Sequence, residues 1–501
     1  MYVLGADIGT TGTKALLVSA SGERAGAAYR PYPLIVDAGG LAEQRAADWW
    51  HSLVDVIRTA TADVKHKEAI RAICLSAQGG SCVLLGDDGE ALANAHTWMD
   101  RRPESVLDAF AGIDGRYIYE TTGWPLSGAM MAARAVWFRR NQPKLWARVQ
   151  HYLTTADYLH RRLTGRASLD LTNAAMTQLF NIRAMRWDPA LLSAAGVPLS
   201  MLPDIVRSGD VAGLLTAEAA GELGLAEGTP VISGAHDQYA AALGAGVCAP
   251  GDVLLSAGTA WVLLGVTDNP AYDNESGFCV GNHALPGLYG ALSSLPAAGA
   301  ALEWCRSNFF SAGEPTDMPD KVAYDKLNRT AQTRIFKDAG LFFYPQFGGR
   351  IYPRRSLKAK GSFMGLSLEH DHYDMALAIM EGVVFEAAMM MEAYAAGGFP
   401  LKQLSLAGGA GKSRLWTDIL RHTTGLPLTC YRDADTACAG AAALAAVSCG
   451  MFPSAHDAVS AINANSTERL DAAEGALREH YIRKYERYKA GLPHIETFFA
   501  E

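Results

Sequence analysis

An α/β chain of two lobes facing each other across a central cleft is the architecture this sequence predicts, on three observations. Short apolar runs alternate with helix-patterned stretches through the first half of the chain. At the start, the apolar runs Tyr2-Val3-Leu4-Gly5-Ala6 and Ala15-Leu16-Leu17-Val18 flank a polar turn, Asp7-Ile8-Gly9-Thr10-Thr11-Gly12-Thr13-Lys14. About 250 residues later the design returns as Val253-Leu254-Leu255-Ser256, Gly258-Thr259 and Trp261-Val262-Leu263-Leu264. Two such units describe a pair of related lobes, 1–246 and 247–501, parted where Gly and Pro cluster between Gly244 and Gly251. Each lobe then lends one polar glycine turn to the cleft, as a nucleotide held between two domains requires.

The opening hairpin carries the first chemistry. Gly9 and Gly12 accept positive φ and put no Cβ in the way, so the backbone N–H groups of the turn can face one anion. The hydroxyls of Thr10, Thr11 and Thr13 add donors, Lys14 adds a positive charge, and Asp7 offers an oxygen suited to magnesium or its bound water. That describes a phosphate cradle on a hairpin. An ordinary hairpin whose turn residues serve only the turn is the plainer reading of the same stretch.

Composition narrows the class. The chain has 501 residues, 49% hydrophobic and 19% charged, as an ordinary globular protein with ample core for several domains does. With 44 basic against 52 acidic residues, a net charge of -8 and no long basic block, it is not expected to bind nucleic acid. No secretory signal is expected at the N-terminus, and the most apolar stretches, such as Ala437 to Val447, are too short and Ala-rich to span a bilayer. The eight cysteines are scattered without a Cys-x-x-Cys pair and read as reduced core residues, so a cytoplasmic location is expected.

Further along, Trp49 to Asp63 is patterned as a helix, Ala69 to Ser76 as a buried strand, and Cys82 to Leu85 as a strand entering the Asp87-Asp88-Gly89 turn. Ala129 to Arg140 and Leu153 to Leu163 read as helices, and Pro230-Val231-Ile232-Ser233 as a strand before Gly234-Ala235-His236-Asp237 and an Ala-rich helix. Helical patterns cover Tyr373 to Ala396 and Ser413 to Thr423, and the charged stretch Thr467 to Lys489 reads as a solvated outer helix. Gly411-Lys412-Ser413 looks like the end of a Walker A loop, but Leu406 stands where that motif needs glycine. Leu404 to Gly411 is instead a strand entering a glycine-rich turn and a helix, where a flat ligand can lie against bare backbone.

In order along the chain, Asp7 to Lys14, Gly258-Thr259 and Gly408-Gly409-Ala410 resemble the phosphate and adenosine elements of the FGGY carbohydrate kinases. That family belongs to the ATPase superfamily of actin and hexokinase, so the resemblance implies ribonuclease-H-like lobes around the cleft. Gly361-Ser362-Phe363-Met364-Gly365-Leu366 followed by Asp374 to Glu381 is similar to the family's C-terminal signature. Leu41-Ala42-Glu43-Gln44 with Asp48-Trp49-Trp50, Trp98-Met99-Asp100-Arg101, and Asp157-Tyr158-Leu159 with Arg162-Leu163-Thr164-Gly165 resemble the xylulokinase branch. The likeness runs from Asp7 to about Ala446.

What the resemblance implies falls residue by residue. Asp237 matches the family's catalytic base; read from spacing alone it is an acid at a helix start, and His236 beside it is read as structural. Asp7 matches the magnesium-associated aspartate, and Thr10, Thr11, Gly12, Thr13 and Lys14 match the first phosphate turn. Gly258 and Thr259 match the second turn, Gly299 and Glu303 a further nucleotide-side element, and Gly408, Gly409, Ala410 and Ser413 the adenosine end. Glu303 stands where a glutamine is usual.

The acceptor side departs from the pattern. Xylulokinases show Gln-Met-His-Gly where this chain has Gln78-Gly79-Gly80-Ser81, so the pocket is expected to be roomier and poorer in polar anchors. Glycerol kinases show Gln-Arg-Glu there, also absent. Gly349 replaces the glutamate of the family's Gly-Glu-Arg motif. Asp100 and Arg101 stay polar and are candidate contacts for sugar hydroxyls, with a surface ion pair as the plainer reading. The expectation is therefore a kinase using ATP and Mg2+ on a small-molecule sugar, D-xylulose first, with another pentulose, a tetrulose or a polyol such as ribulose or glycerol as alternatives. A non-catalytic nucleotide-binding regulator is the alternative of another class. A nicotinamide dehydrogenase fits worst, since no Gly-x-Gly-x-x-Gly follows the first strand. No membrane partner is expected, and a homodimer is left open.

Overall fold

The structure, a computed structural model, describes residues 1–270, 278–310, 320–337, 340–350, 358–432 and 435–500. Strand Tyr2–Ile8 pairs antiparallel with Gly12–Ser19, which places Asp7 opposite Lys14 and Ile8 opposite Thr13. Arg24–Pro31 extends this meander. On its other side Tyr2–Ile8 runs parallel to Ile70–Ala77, itself parallel to Pro230–His236, and Val211–Leu214 closes the edge.

The second sheet repeats the plan. Asp252–Ala257 pairs antiparallel with Trp261–Thr267, which pairs antiparallel with Tyr289–Leu295. On the other side Asp252–Ala257 runs parallel to Gln403–Ala407, and that strand runs parallel to Leu428–Tyr431. Each sheet is thus a three-stranded meander with two parallel strands added beside its first strand. The two glycine turns seen in the sequence are the same corner of this duplicated, ribonuclease-H-like plan. Parallel strands need cover on both faces, and Val3, Leu4, Ala6 and Ile8 are fully buried accordingly. Helix Ala46–Ala60 covers one face of the first sheet with Trp49, Leu53, Val56 and Ile57.

The other face receives a helix from the distant end of the chain. Thr436–Ser448 lies on strand Tyr2–Ile8 and on helix Asp237–Gly244, which leaves the end of strand Pro230–His236. Backbone meets backbone at these crossings. A Cβ on Gly5 would run into the Cys438 carbonyl and come within 2.5 Å of the Ala442 nitrogen. One on Gly440 would strike the Ala240 carbonyl, and one on Gly244 the Thr436 carbonyl. This explains both the glycine inside an otherwise apolar strand and the alanine-rich composition of the two helices.

Most expected elements stand within a few residues of their expected places, including Ile70–Ala77, Met131–Asn141, Thr155–Thr164, His372–Ala396 and Arg414–Thr424. The C-terminal expectation needs correction. Thr467–Leu470 is a strand, antiparallel to Leu428–Tyr431 at the sheet edge, and the helix is Ala476–Ala500. That helix is docked, not merely solvated. Tyr481, Tyr485 and Tyr488 are buried, Tyr488 stacks on Tyr344 at 4.5 Å, and buried Lys484 pairs with Glu381 at 2.5 Å. The aromatic stripe recurs at four- and three-residue intervals and is hidden in the sequence by the charges between its members. No helix among the described residues is long and apolar enough to cross a membrane, and all eight cysteines are unpaired.

The helix seam generates one prediction. Gly440→Ala inserts a methyl against backbone that has no side chain to yield, and overpacking of this kind costs about 1–3 kcal/mol. Urea denaturation of the variant is expected to show that loss, and an unchanged midpoint would show the seam to be looser than described.

Candidate active site

The first wall of the cleft is the opening hairpin. Its turn is closed by a hydrogen bond from the Gly9 N–H to the Gly12 carbonyl at 3.1 Å, and by the Tyr32 hydroxyl donating to the Gly9 carbonyl. The threonines divide their work. Thr13 is fully buried, its hydroxyl 2.8 Å from that of Ser52 in the helix behind, so it anchors the turn. Thr10 accepts a hydrogen bond from the Trp98 indole at 3.0 Å, and Thr11 is exposed.

Asp7 leaves the strand just before this turn and accepts a hydrogen bond from Ser76 at 2.8 Å. Burial pushes its carboxyl up to about 7; the nearby charge of Asp237 adds to the rise, while the Ser76 bond and Lys14 oppose it. Lys14 itself reaches across to Asp435, 2.8 Å away, just before helix Thr436–Ser448. Burial works to lower the Lys14 ammonium, but the hydrogen bond and charge of Asp435 outweigh it and its pKa is raised. Asp435 was not anticipated from sequence. The available signal was an acid next to a helix of small residues whose own strand partner lies at the other end of the chain.

Asp237 opens its helix at the end of the parallel strand Pro230–His236. Its side chain is 24% exposed. Burial raises its carboxyl to about 6, with hydrogen bonds from Gln238 opposing the rise. The adjacent His236 is buried, and its Nε2 stands 3.1 Å from Asp237 Oδ1. The ends of the two strands that flank Ile70–Ala77 thus deliver two carboxylates, each poised to change charge near neutrality, to one place.

Gln78-Gly79-Gly80-Ser81 follows strand Ile70–Ala77 into the same space. The Gln78 N–H donates to the Ile8 carbonyl at 2.8 Å, and its side-chain amide donates to Gln44 at 2.9 Å. Gln44 in turn donates to the Thr10 carbonyl at 2.6 Å and accepts from the Trp49 indole at 3.1 Å. The Gln78–Ser81 loop and the opening hairpin turn are therefore one hydrogen-bonded body. Gln78 Oε1 is buried with no partner among the described residues. An unpaired buried acceptor is costly, and a ligand hydroxyl would satisfy it.

The expectation of a roomier pocket needs correction. The space that a side chain at residue 79 would take is held by His236, and the space beside Gly80 is bounded by Trp98 and the Ala129 carbonyl, 3.3 and 3.4 Å from a Cβ there. Gly80 has a φ of +69°, which also favours glycine. Behind the loop, fully buried Arg134 donates to the carbonyls of Gly80 and Thr97 and so ties the loop to the Trp98 segment.

Asp100 and Arg101, the expected contacts for sugar hydroxyls, both face charged groups of the protein. Asp100 is buried and held by Arg102 at 2.5 Å and by the Ala42 N–H at 3.3 Å, while Arg101 is 77% exposed beside Glu104. The ion pair is real but runs to Arg102, which also donates to Glu43 at 2.6 Å and to His96 at 3.0 Å. Glu43, His96 and Asp100 are the one trio of potential metal ligands found close together among the described residues. The guanidinium of Arg102 sits among them, so the trio is an ion-pair network and not a cation site.

The second wall is built from the other sheet. Gly258 and Thr259 are exposed at the turn between strands Asp252–Ala257 and Trp261–Thr267. Helix Gly299–Cys305 starts against them: the Ala300 N–H donates to the Thr259 carbonyl at 3.0 Å, and a Cβ on Gly299 would strike the Gly258 carbonyl. Gly408, at φ +92°, lies as close to Ala257, with a Cβ 2.6 Å from that carbonyl. Gly258, Thr259, Gly299 and Gly408 thus form one side-chain-poor surface, continued by exposed Gly409 and buried Ala410. Two expected contacts have other partners. The Ser413 hydroxyl caps helix Arg414–Thr424 through Trp416 N–H and donates to Asn328 at 2.9 Å. Glu303 accepts from Arg306, Ser307 and Tyr324, and the Arg306 bonds above all hold its carboxyl down at about 2.

Two sheets of one topology, each offering a glycine turn to a cleft that also holds buried carboxylates, define an ATPase-type phosphotransferase. The comparisons with known proteins agree. Residues 2–244 match the N-terminal domain, and residues 253–449 the C-terminal domain, of the FGGY family of carbohydrate kinases. The chain belongs to that family, and it is a phosphotransferase with an alcohol group as acceptor. It is 26% identical over 455 residues to a xylulose kinase of Bacillus subtilis, covering 90% of this chain and 89% of that protein. It is also 26% identical to a gluconokinase of the same organism, over 96% and 93% of the two chains. A solved xylulose kinase structure from Rhodospirillum rubrum superposes with a TM-score of 0.90 at 28% identity, over the full length of both chains. Sugar kinases of this family use ATP.

The two arginines separate structure from chemistry. Arg102→Ala strands two carboxylates in a buried network, a change that costs about 3–5 kcal/mol, whereas Arg101→Ala is expected to leave both the melting temperature and turnover within error. Thermal melts and a coupled ADP assay read both, and a large loss of acceptor affinity in Arg101→Ala would restore that side chain to the acceptor site.

Proposed function

We propose that this enzyme transfers the γ-phosphate of ATP to a hydroxyl of a ketose, D-xylulose first among the candidates, with Asp237 as the base. The observation that supports it most is the position of Asp237. It is a largely buried carboxylate at the start of a helix, within Coulombic reach of Asp7, and backed by the acceptor loop through His236 and Gly79. An acceptor hydroxyl gives its proton to Asp237 as its oxygen attacks the phosphorus, and a carboxylate near 6 is a stronger base than an exposed one while still ionised at neutral pH. Gln78 Oε1 orients a second hydroxyl of the acceptor. The backbone N–H groups of the Thr10–Thr13 turn and of Gly258-Thr259 hold the phosphates from either side, and the bare surface at Gly299, Gly408 and Gly409 takes the adenosine.

The donor set suits magnesium. Asp7, Asp237 and Asp435 outnumber the single Lys14, an excess of carboxylate oxygens that a small divalent cation would balance. Asp7 would hold it, directly or through water, and its charge would neutralise the phosphate oxygens. Phosphate transfer to water is limited by a cleft that closes around the acceptor. The eight unpaired cysteines suit a reducing, cytoplasmic setting. The gluconokinase likeness and the refilled acceptor loop favour, as a second reading, an acceptor other than xylulose.

Two outcomes follow. Asp237→Ala is expected to lower kcat about 10²–10⁴-fold while calorimetry still detects ATP binding, and in the wild type kcat/KM falls as the pH drops below about 6, where the carboxylate takes up a proton. Near-normal turnover in the variant removes Asp237 as base. A coupled ADP assay across D- and L-xylulose, ribulose, erythrulose, glycerol and gluconate is expected to show D-xylulose with the highest kcat/KM, and a better acceptor in that panel replaces it.

A further inference from the structure

His236, read from the sequence as structural, stands between the Gln78–Ser81 loop and Asp237. The imidazole and residue 79 compete for one volume: a Cβ on Gly79 would collide with the ring at Cδ2, come within 2.7 Å of Nε2, and lie 3.1 Å from Met176 Cγ. The ring is held from several sides. It meets the Tyr239 ring edge-on at 5.8 Å, and the backbone N–H of His236 donates to the Thr172 hydroxyl at 2.7 Å. Thr172 is itself fixed by Asp170, which accepts its N–H at 2.9 Å. From this anchored position Nε2 stands 3.1 Å from Asp237 Oδ1, and Nδ1 is buried without a partner among the described residues.

We propose that His236 is a positioning and specificity-determining residue of the acceptor pocket. Its imidazole replaces the side chain that a larger residue 79 would supply, constrains one carboxylate oxygen of Asp237, and sets the width open to the hydroxylated carbon chain of the acceptor. The inference rests on Asp237 being the base. At 3.1 Å from Oδ1 the imidazole orients one oxygen of the carboxylate and leaves the second oxygen of Asp237 to the acceptor. A side chain grafted from the strand end, not from the loop, approaches the acceptor from the side of the base.

The test uses the full-length enzyme and four variants, His236→Gly, His236→Gln, Gly79→Met, and the exchange Gly79→Met with His236→Gly, each checked by thermal melting. With the best acceptor of the wild type, His236→Gly is expected to raise the acceptor KM about tenfold or more, the scale of a lost pocket contact, to lower kcat less, and to leave the KM for ATP within twofold. Its acceptor ranking shifts toward bulkier acceptors, and His236→Gln regains most of the lost acceptor affinity. Gly79→Met alone loses acceptor turnover, and the exchange variant recovers folding and turnover. An unchanged acceptor KM and ranking in His236→Gly, or an equal loss toward ATP and acceptor, overturns the inference while the kinase reading stands. Absence of acceptor-dependent ADP formation in the wild type, or normal turnover in Asp237→Ala, overturns the underlying reading and the inference with it.

Discussion

Backbone pressed on backbone, with no side chain between, is the constraint on which the cleft depends. Helix Thr436–Ser448 belongs by sequence to the second half of the chain, yet it lies against strand Tyr2–Ile8 and helix Asp237–Gly244 of the first. The approach is permitted by Gly5, Gly244 and Gly440, each facing a carbonyl that would collide with a Cβ. Such contact transmits position with little slack, because packed interiors do not deform freely. It places the start of the Asp237 helix, the Asp7 strand end and Asp435 at one location. Elements more than 400 residues apart in sequence are thereby made to share a site.

That sharing explains the electrostatics. Carboxylates brought together and desolvated in one cleft rise toward neutrality, as Asp7 and Asp237 do. Held so close, they are a burden on stability, partly relieved by Lys14 reaching Asp435 across the two halves. The arrangement is one that phosphate and its counter-ion would complete. Around it, hydrogen bonds give rigidity: Trp49, Gln44, Gln78 and the Thr10 carbonyl join the Gln78–Ser81 loop to the opening hairpin turn, and Arg134 fastens the loop from behind.

Much of this was legible in sequence where local chemistry and topology coincide. Strand, glycine turn and strand can be read directly, so the Asp7–Lys14 hairpin and its Gly258-Thr259 counterpart were visible, and so was the order of the family's elements. Less visible were features decided by which side chain fills which space. Asp100 looked like a sugar contact because nothing in the sequence shows that Arg102, and not Arg101, turns inward to meet it. Thr13 and Ser413 carry the same hydroxyl as an exposed ligand would, but strand alternation buries one and helix capping occupies the other. The final helix was misjudged because Lys, Arg and Glu outnumber the three tyrosines that dock it. The loss of two side chains from the acceptor loop read as empty space, since only the folded chain reveals that His236 and Trp98 border it.

The shared volume at Gly79 and His236 also constrains the order in which such a pocket can change through time. A large side chain at both positions is sterically forbidden, so no lineage can acquire the second before losing the first. Any passage between a loop-filled pocket and this strand-filled one runs through an intermediate small at both positions. That intermediate has a wider pocket and a less constrained carboxylate, and so a broader choice of acceptors. A change of specificity in this fold would then begin with promiscuity.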